Sequence, residues 1–270
     1  MKQLITVLVM MLVAIGAALA VSLVDSGRHE AAAGGYNDLL LNCKIHRVAT
    51  IDPIQPQADH LHAFAGNRSI SDDSTYESLL SNPNTSCNRR FATSAYWTMA
   101  TYWGGVQIDP TRVGVYYHAA HPERVSHIPD GLQMLASDAN GELTFKCGKN
   151  PAPGLPEPPY NCTKDFRIVY NFPECWDQQS LLHTSLRDRR GAWCDAGYRE
   201  IISVRLSFHY NNPHPGEPLG SPLEVSTGAD QRSPWTAAHA DSFEANQQNK
   251  FNDTIQKCVI EGQELPICSP

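Results

Sequence analysis

Apolar and polar residues alternate most regularly between Ile201 and Tyr210. Ile202, Val204, Leu206, Phe208 and Tyr210 fall on one side of an extended chain, and Ser203, Arg205, Ser207 and His209 on the other. This pattern predicts a strand with one buried face. Stretches of similar character predict further strands over 112–119, 132–137, 143–147, 166–172 and 223–226. Asp138-Ala139-Asn140-Gly141 lies between two of them and reads as a hairpin turn. Two segments read as helices. One spans 73–80, with Asp72 or Asp73 as its N-cap. The other spans 242–259, where Phe243, Phe251, Ile255 and Cys258/Val259 form an apolar stripe. The Pro-rich stretches 150–160 and 211–222 read as loops, and no internal repeat is visible. The expected fold is mainly β: a single antiparallel β-sandwich with long, disulfide-stapled loops and a C-terminal helix.

The ends and the cysteines set the compartment. From Leu4 to Val24 the chain carries no charge and is mostly aliphatic, with a small-x-small site at Ala18-Leu19-Ala20. Residues 1–24 therefore read as a signal peptide or an uncleaved N-terminal anchor, and 25–42 as a tether before a domain over 43–270. Either reading places the domain outside the cytoplasm, secreted or anchored by its N-terminal segment. Eight cysteines in an exported chain read as disulfides. Several connectivities are open. Loop length favours Cys147/Cys162, Cys175/Cys194 and Cys258/Cys268, leaving Cys43/Cys87. A net charge of −7 and the lack of a basic stripe along the chain speak against a nucleic-acid partner. Asn-x-Ser/Thr sequons start at Asn67, Asn84, Asn161 and Asn252.

The chemistry concentrates in two short signatures. One is His60-Leu61-His62, followed by Phe64, Gly66 and Asn67. The other is His239-Ala240-Asp241. Residues two apart on a strand share a face, so each pair projects together wherever its segment is extended. His60, His62, His239 and Asp241 are the expected catalytic centre if the fold joins them. The same four residues are nitrogen and oxygen donors of the kind that zinc or another divalent transition metal accepts. No cofactor is required by the sequence, and a divalent metal is the one that would fit. Without a metal, His62 would act as a base oriented by Asp241. A glycosidase pair of carboxylates would join Asp241 with Asp52, Asp59, Asp138 or Asp177. No Gly-x-Ser-x-Gly elbow is present for a serine nucleophile. Asp241 is open to a plainer reading as a helix N-cap, and the two histidines of the first signature to one as partners of buried backbone. Tyr96, Trp97 and Tyr117 are the expected substrate-binding aromatics, since aromatic faces stack on sugars. The competing reading places Tyr96 and Trp97 in the core.

Several blocks in order resemble a known family. They include Asp52-Pro53-Ile54, the His60 to Asn67 signature, Ser94-Ala95-Tyr96-Trp97 and Val115-Tyr116-Tyr117. Ile128-Pro129, Phe172-Pro173 with Cys175-Trp176-Asp177, Leu223-x-Val225-Ser226 and His239-Ala240-Asp241 follow. Together they resemble the DUF1996 family of exported fungal and bacterial proteins, over about Cys43 to Val259. Some members carry WSC modules, thought to bind carbohydrate, so the resemblance implies extracellular or cell-wall polysaccharide as partner. Family members carry an Asp/His-rich stretch where this chain reads Ser180-Leu181-Leu182-His183, and a histidine where it has Tyr198. The expected function is glycan hydrolysis with a His/Asp centre. The alternative is a non-catalytic carbohydrate-binding or cell-surface structural protein.

Overall fold

The computed structural model describes residues 38–268, apart from 57, 139–141, 150–152, 191–192 and 221. The segment expected to be a signal or anchor lies outside the described residues. Ten strands build two five-stranded antiparallel sheets. They are β1 (Asp38–Lys44), β2 (Arg47–Ala49), β3 (His62–Gly66), β4 (Ala95–Met99) and β5 (Arg112–His118), then β6 (Gln133–Ser137), β7 (Leu143–Cys147), β8 (Phe166–Asn171), β9 (Ser203–Tyr210) and β10 (His239–Phe243). The first sheet runs β1-β5-β9-β8-β7 and the second β2-β3-β4-β10-β6. Two small antiparallel sheets, of four and three short strands, flank them. Helix α1 covers Tyr76–Ser81 and α2 covers Gln248–Ile255, continued by a π-helical turn over Gln256–Ile260. Among the described residues, no helix is long and apolar enough to cross a membrane.

The alternation at 201–210 does what its period implies. Val204, Leu206, Phe208 and Tyr210 are buried between the sheets, with Leu39, Leu41, Val113, Val115, Ile168 and Phe145 from neighbouring strands. The second sheet meets them with smaller residues, Ala65, Ala136 and Ala240, around the ring of Tyr96. Each large apolar side chain enclosed here contributes about 1.5–3 kcal/mol. Polar contacts also cross the sandwich: the hydroxyls of Tyr96 and Tyr117 lie 2.7 Å apart, and those of Thr98 and Tyr170 3.0 Å apart. Four disulfides, Cys43–Cys87, Cys147–Cys162, Cys175–Cys194 and Cys258–Cys268, staple the loops. They fit an oxidising, extracellular compartment.

The structure corrects four local expectations. The first sheet begins at Asp38, inside the stretch read as a tether, because Leu39 and Leu41 face the core. β6 and β7 lie in different sheets and do not form a hairpin; the turn residues between them fall outside the described set. α1 starts later than expected, with Thr75 as its cap: its side chain accepts from Ser78 N, and the Ser78 hydroxyl accepts from Thr75 N. The long C-terminal helix starts at Gln248, because 239–243 is a strand paired on both sides. Asp241 is therefore no helix cap.

Candidate metal centre

β3 and β10 flank β4, with Ala63, Thr98 and Ala240 in one register row. These three face the other sheet. Their neighbours His62 and His239 therefore point to the outer face, one from each side of β4. Phe64, Trp97 and Asp241 form the next row on that face. The apolar members pack with Ile70, Leu79 and Phe243 into a second, smaller core under the 50–81 segment. The candidate centre sits at the edge of this core.

The loop before β3 supplies the remaining groups. Leu61, between the two histidines, is held at both ends: its N–H donates to Ser226 Oγ (3.1 Å), and its carbonyl accepts from Ala100 N (2.7 Å). This fixes His60 and His62 around it. Their rings meet at 4.4 Å between centroids. His60 Nε2 lies 3.4 Å and His62 Nε2 3.3 Å from His239 Nε2. Asp52 joins them, with one donor atom from each of Asp52, His60, His62 and His239 falling within 4.8 Å of the others. Asp52 Oδ1 accepts from Ile54 N and Gln55 N (3.0 and 2.9 Å), which turns Oδ2 towards His62 Nε2 at 3.7 Å. Asp241 Oδ2 approaches His239 Nε2 at 3.5 Å.

Hydrogen bonding assigns the protons. His62 Nδ1 lies 3.0 Å from the carbonyl of Ile51, which can only accept. That nitrogen therefore carries the hydrogen, and Nε2 presents its lone pair to the cluster. The same arrangement orients imidazoles that bind metals. Burial, then the neighbouring His239 and His60, push the His62 pKa well below its ordinary value. Burial, then His60, push His239 down to about 3. Burial raises the pKa of Asp52 and, with Asp52 beside it, that of Asp241 well above the ordinary carboxylate value. Asp52 Oδ2 and both oxygens of Asp241 are buried without a hydrogen-bond partner. The His62 Nε2 lone pair thus faces two further imidazole Nε2 atoms, beside carboxylate oxygens that have no hydrogen-bond partner.

A divalent cation would satisfy these atoms. At metal–nitrogen distances of 2.0–2.1 Å, tetrahedral ligands stand about 3.3–3.4 Å apart, which the two Nε2 separations match. The donor set suits zinc or another first-row ion that accepts imidazole and carboxylate. His62, Asp52 and Asp241 are sealed, whereas His60 and His239 retain 8% and 9% exposure, so solvent reaches the cluster along that edge. His183, on a turn docked to β6 through Gln133 N and Leu181 O (2.7 Å), lies within the field of Asp52. Its Nδ1 is buried without a hydrogen-bond partner.

All four residues expected at the centre converge, although only His60, His62 and His239 belong to the compact four-residue group. Asp52, foreseen only as one of several second carboxylates, completes that group. Its place in a Pro-Ile turn carried no metal signal. Asp177 instead holds a turn, its Oδ1 accepting from Gln179 N and Ser180 N. The expected substrate-binding aromatics are corrected. Tyr96, Trp97 and Tyr117 are wholly buried. Tyr117 donates to buried Glu244, which also accepts from Ser94, Ser242 and Asn246, so these rings serve the core. Gly66 and Asn67 of the first signature are structural too. Gly66 has φ +80°, and a Cβ there would lie 2.1 Å from the Ser94 carbonyl. Asn67 Nδ2 donates to the carbonyls of Leu79 and Thr93, and full burial closes its sequon to a glycan in the folded chain.

No curated protein and no solved structure matches this chain. A family profile described as a domain of unknown function does match it, over residues 49–245, a span that holds Asp52 and all three histidines. The blocks shared along the sequence and this match agree, and the chain belongs to the DUF1996 family.

Proposed function

We propose that this chain is a metal-dependent hydrolase acting on extracellular polysaccharide. The reading is carried by the approach of His60 Nε2 and His62 Nε2 to His239 Nε2 at tetrahedral-edge spacing, with the unpartnered oxygen of Asp52 beside them. A bound divalent ion would supply Lewis acidity and lower the pKa of a coordinated water. The protein's own part is to keep three imidazoles neutral and aligned. The Ile51 carbonyl orients His62, and the Leu61 backbone bonds hold the residue between His60 and His62. Asp241 places a carboxylate oxygen 3.5 Å from His239 Nε2, and His183, within the field of Asp52, is an additional proton carrier. Polysaccharide as substrate rests on the disulfide-stabilised, extracellular character of the domain and on its family's association with carbohydrate modules.

A second reading is favoured by the complete burial of His62, Asp52 and Asp241. In it, the ion staples the 51–60 loop to the sheet, and the protein binds glycan without cleaving it. Reducing-end release from a panel of cell-wall polysaccharides separates the two. The secreted protein, its chelated form and a folded His62→Ala variant are compared. The hydrolase reading expects release that stops on chelation and in the variant, and returns on adding zinc to the chelated protein only. Retention on one polysaccharide without release by any form would replace it with the binding reading.

A further inference from the structure

The outer face of the first sheet, opposite the candidate metal centre, carries an independent feature. Along the chain there is no basic stripe, but the sheet assembles one. Lys44 pairs with Arg112, Arg112 with His209, His209 with Arg167, and Arg167 with Lys146. These five residues come from five different strands and form a single register row. Alternation places all five on the outer face, because Cys43, Val113, Phe208, Phe166 and Phe145 next to them are buried. At about 4.8 Å per strand, the row spans about 19 Å.

Arg112, His209 and Arg167, the middle of the row, line a groove of about 910 Å³, whose walls also include Lys149, Lys164 and Tyr116. The one carboxylate among its lining residues, Asp165, accepts a hydrogen bond from Asn212 N. The field of the row is evident at its centre: after burial itself, Arg112 and Arg167 help push the His209 pKa down to about 3. His209 Nε2 is buried there without a hydrogen-bond partner. For a chain of net charge −7, this is a local concentration of the opposite sign.

We infer that this groove binds an acidic polysaccharide, laid across the strands with its anionic groups on the basic row. Three arguments select that partner. An extended acidic glycan carries a charge on each sugar or each second sugar, which fits the one-strand steps Lys44–Arg112 and Arg167–Lys146 and the two-strand step from Arg112 to Arg167 across the neutral His209. Guanidinium groups pair with such oxyanions through two parallel hydrogen bonds. Each strand of a nucleic-acid duplex carries one charge per about 3.4 Å of axis, closer than the spacing of the row, about 4.8 Å or more. Single strands need exposed aromatic platforms, whereas the ring of Tyr116 is covered by the Arg205 guanidinium at 4.4 Å. The inference does not depend on the metal centre, and a chain that lacks hydrolase activity would still bind here.

The test measures binding of the whole secreted chain to polygalacturonate, heparin, neutral dextran and single-stranded DNA across a salt series. Two variants are included: Arg112→Gln with Arg167→Gln, and Lys44→Ala with Lys146→Ala at the two ends of the row. Circular dichroism establishes that each is folded. The inference expects binding to polygalacturonate or heparin, whichever oxyanion fits better, and none to dextran. It expects at least tenfold weakening in the central variant, a smaller loss in the end variant, and a shallower salt dependence in both. If the central variant does not fold, the end variant alone decides. No binding to either acidic glycan at low salt, unchanged affinity in the folded variants, or tighter binding to DNA would overturn it. His62→Ala serves as a control expected to bind like the unaltered chain, which keeps this outcome distinct from failure of the hydrolase reading.

Discussion

The proposed metal centre makes a quantitative demand on stability. The three imidazoles are already neutral and aligned, so an ion binding the folded chain alone stabilises it by mass action. With free zinc at one hundred times its dissociation constant, the gain is about 2.7 kcal/mol. For a domain of this size, each kcal/mol raises the melting temperature by about 2–4 °C. The chelated protein should therefore melt about 5–11 °C higher after zinc is restored. His62→Ala should lose the shift, because the Nε2 facing His239 at 3.3 Å is removed. The variant should also melt lower without metal. Its Ile51 carbonyl loses the partner at 3.0 Å, and an unpaired buried acceptor costs about 1–3 kcal/mol. The informative quantity is thus the shift on adding metal, read by scanning calorimetry, with metal content determined by mass spectrometry at one ion per chain. A chelated protein whose melting temperature does not respond to zinc, manganese, cobalt, nickel or copper would refute the reasoning. So would an equal shift in His62→Ala.

Three further outcomes follow from the geometry. Gly66→Ala should lose about 1–2 kcal/mol from the left-handed backbone alone and more from the overlap with the Ser94 carbonyl; urea unfolding showing a smaller loss would mean that β3 and its neighbour can move apart. Removing Cys43–Cys87, which closes a separation of 44 residues, should cost about 4 kcal/mol by loop-closure entropy. Removing Cys258–Cys268, with a separation of 10, should cost about 2.7 kcal/mol, and equal losses in paired Cys→Ser variants would contradict this ordering. His46 has its pKa lowered from 6.5 to about 4 by burial, then by Arg68 and Arg47. Below pH 6.5 the unfolded chain takes up a proton there that the folded chain refuses, so this contribution to stability falls as pH drops towards about 4. The difference in melting temperature between the unaltered chain and His46→Gln should change across that window and be flat above it.

Local patterning determined much of this protein. The alternation at 203–210 and the shorter runs at 112–118, 133–137 and 166–171 mark strands, because a buried sheet face imposes a period of two on side chains. The cysteine spacing pointed to the bridges that form. The two histidine signatures were legible as a candidate site because strand geometry puts residues two apart on one side. Other features depend on contacts that no local pattern encodes. Whether 239–243 continues as helix or strand was decided by its two neighbours, β4 and β6, which pair with it along its length. Tyr96 and Tyr117 read as sugar-binding aromatics until the facing sheets enclosed them with Glu244. Asp52 gained its place from a turn that uses one carboxylate oxygen and directs the other at His62. The basic row is the clearest case. Its members are separated by up to 165 positions, from Lys44 to His209, and each appears singly beside apolar residues. Strand order and register bring them into line, because residues opposite one another in a sheet share a face whatever their distance along the chain. The sequence by itself determined the strands, the bridges and the histidines worth watching. Only the tertiary structure decided which side chains meet, since that depends on how distant strands pair.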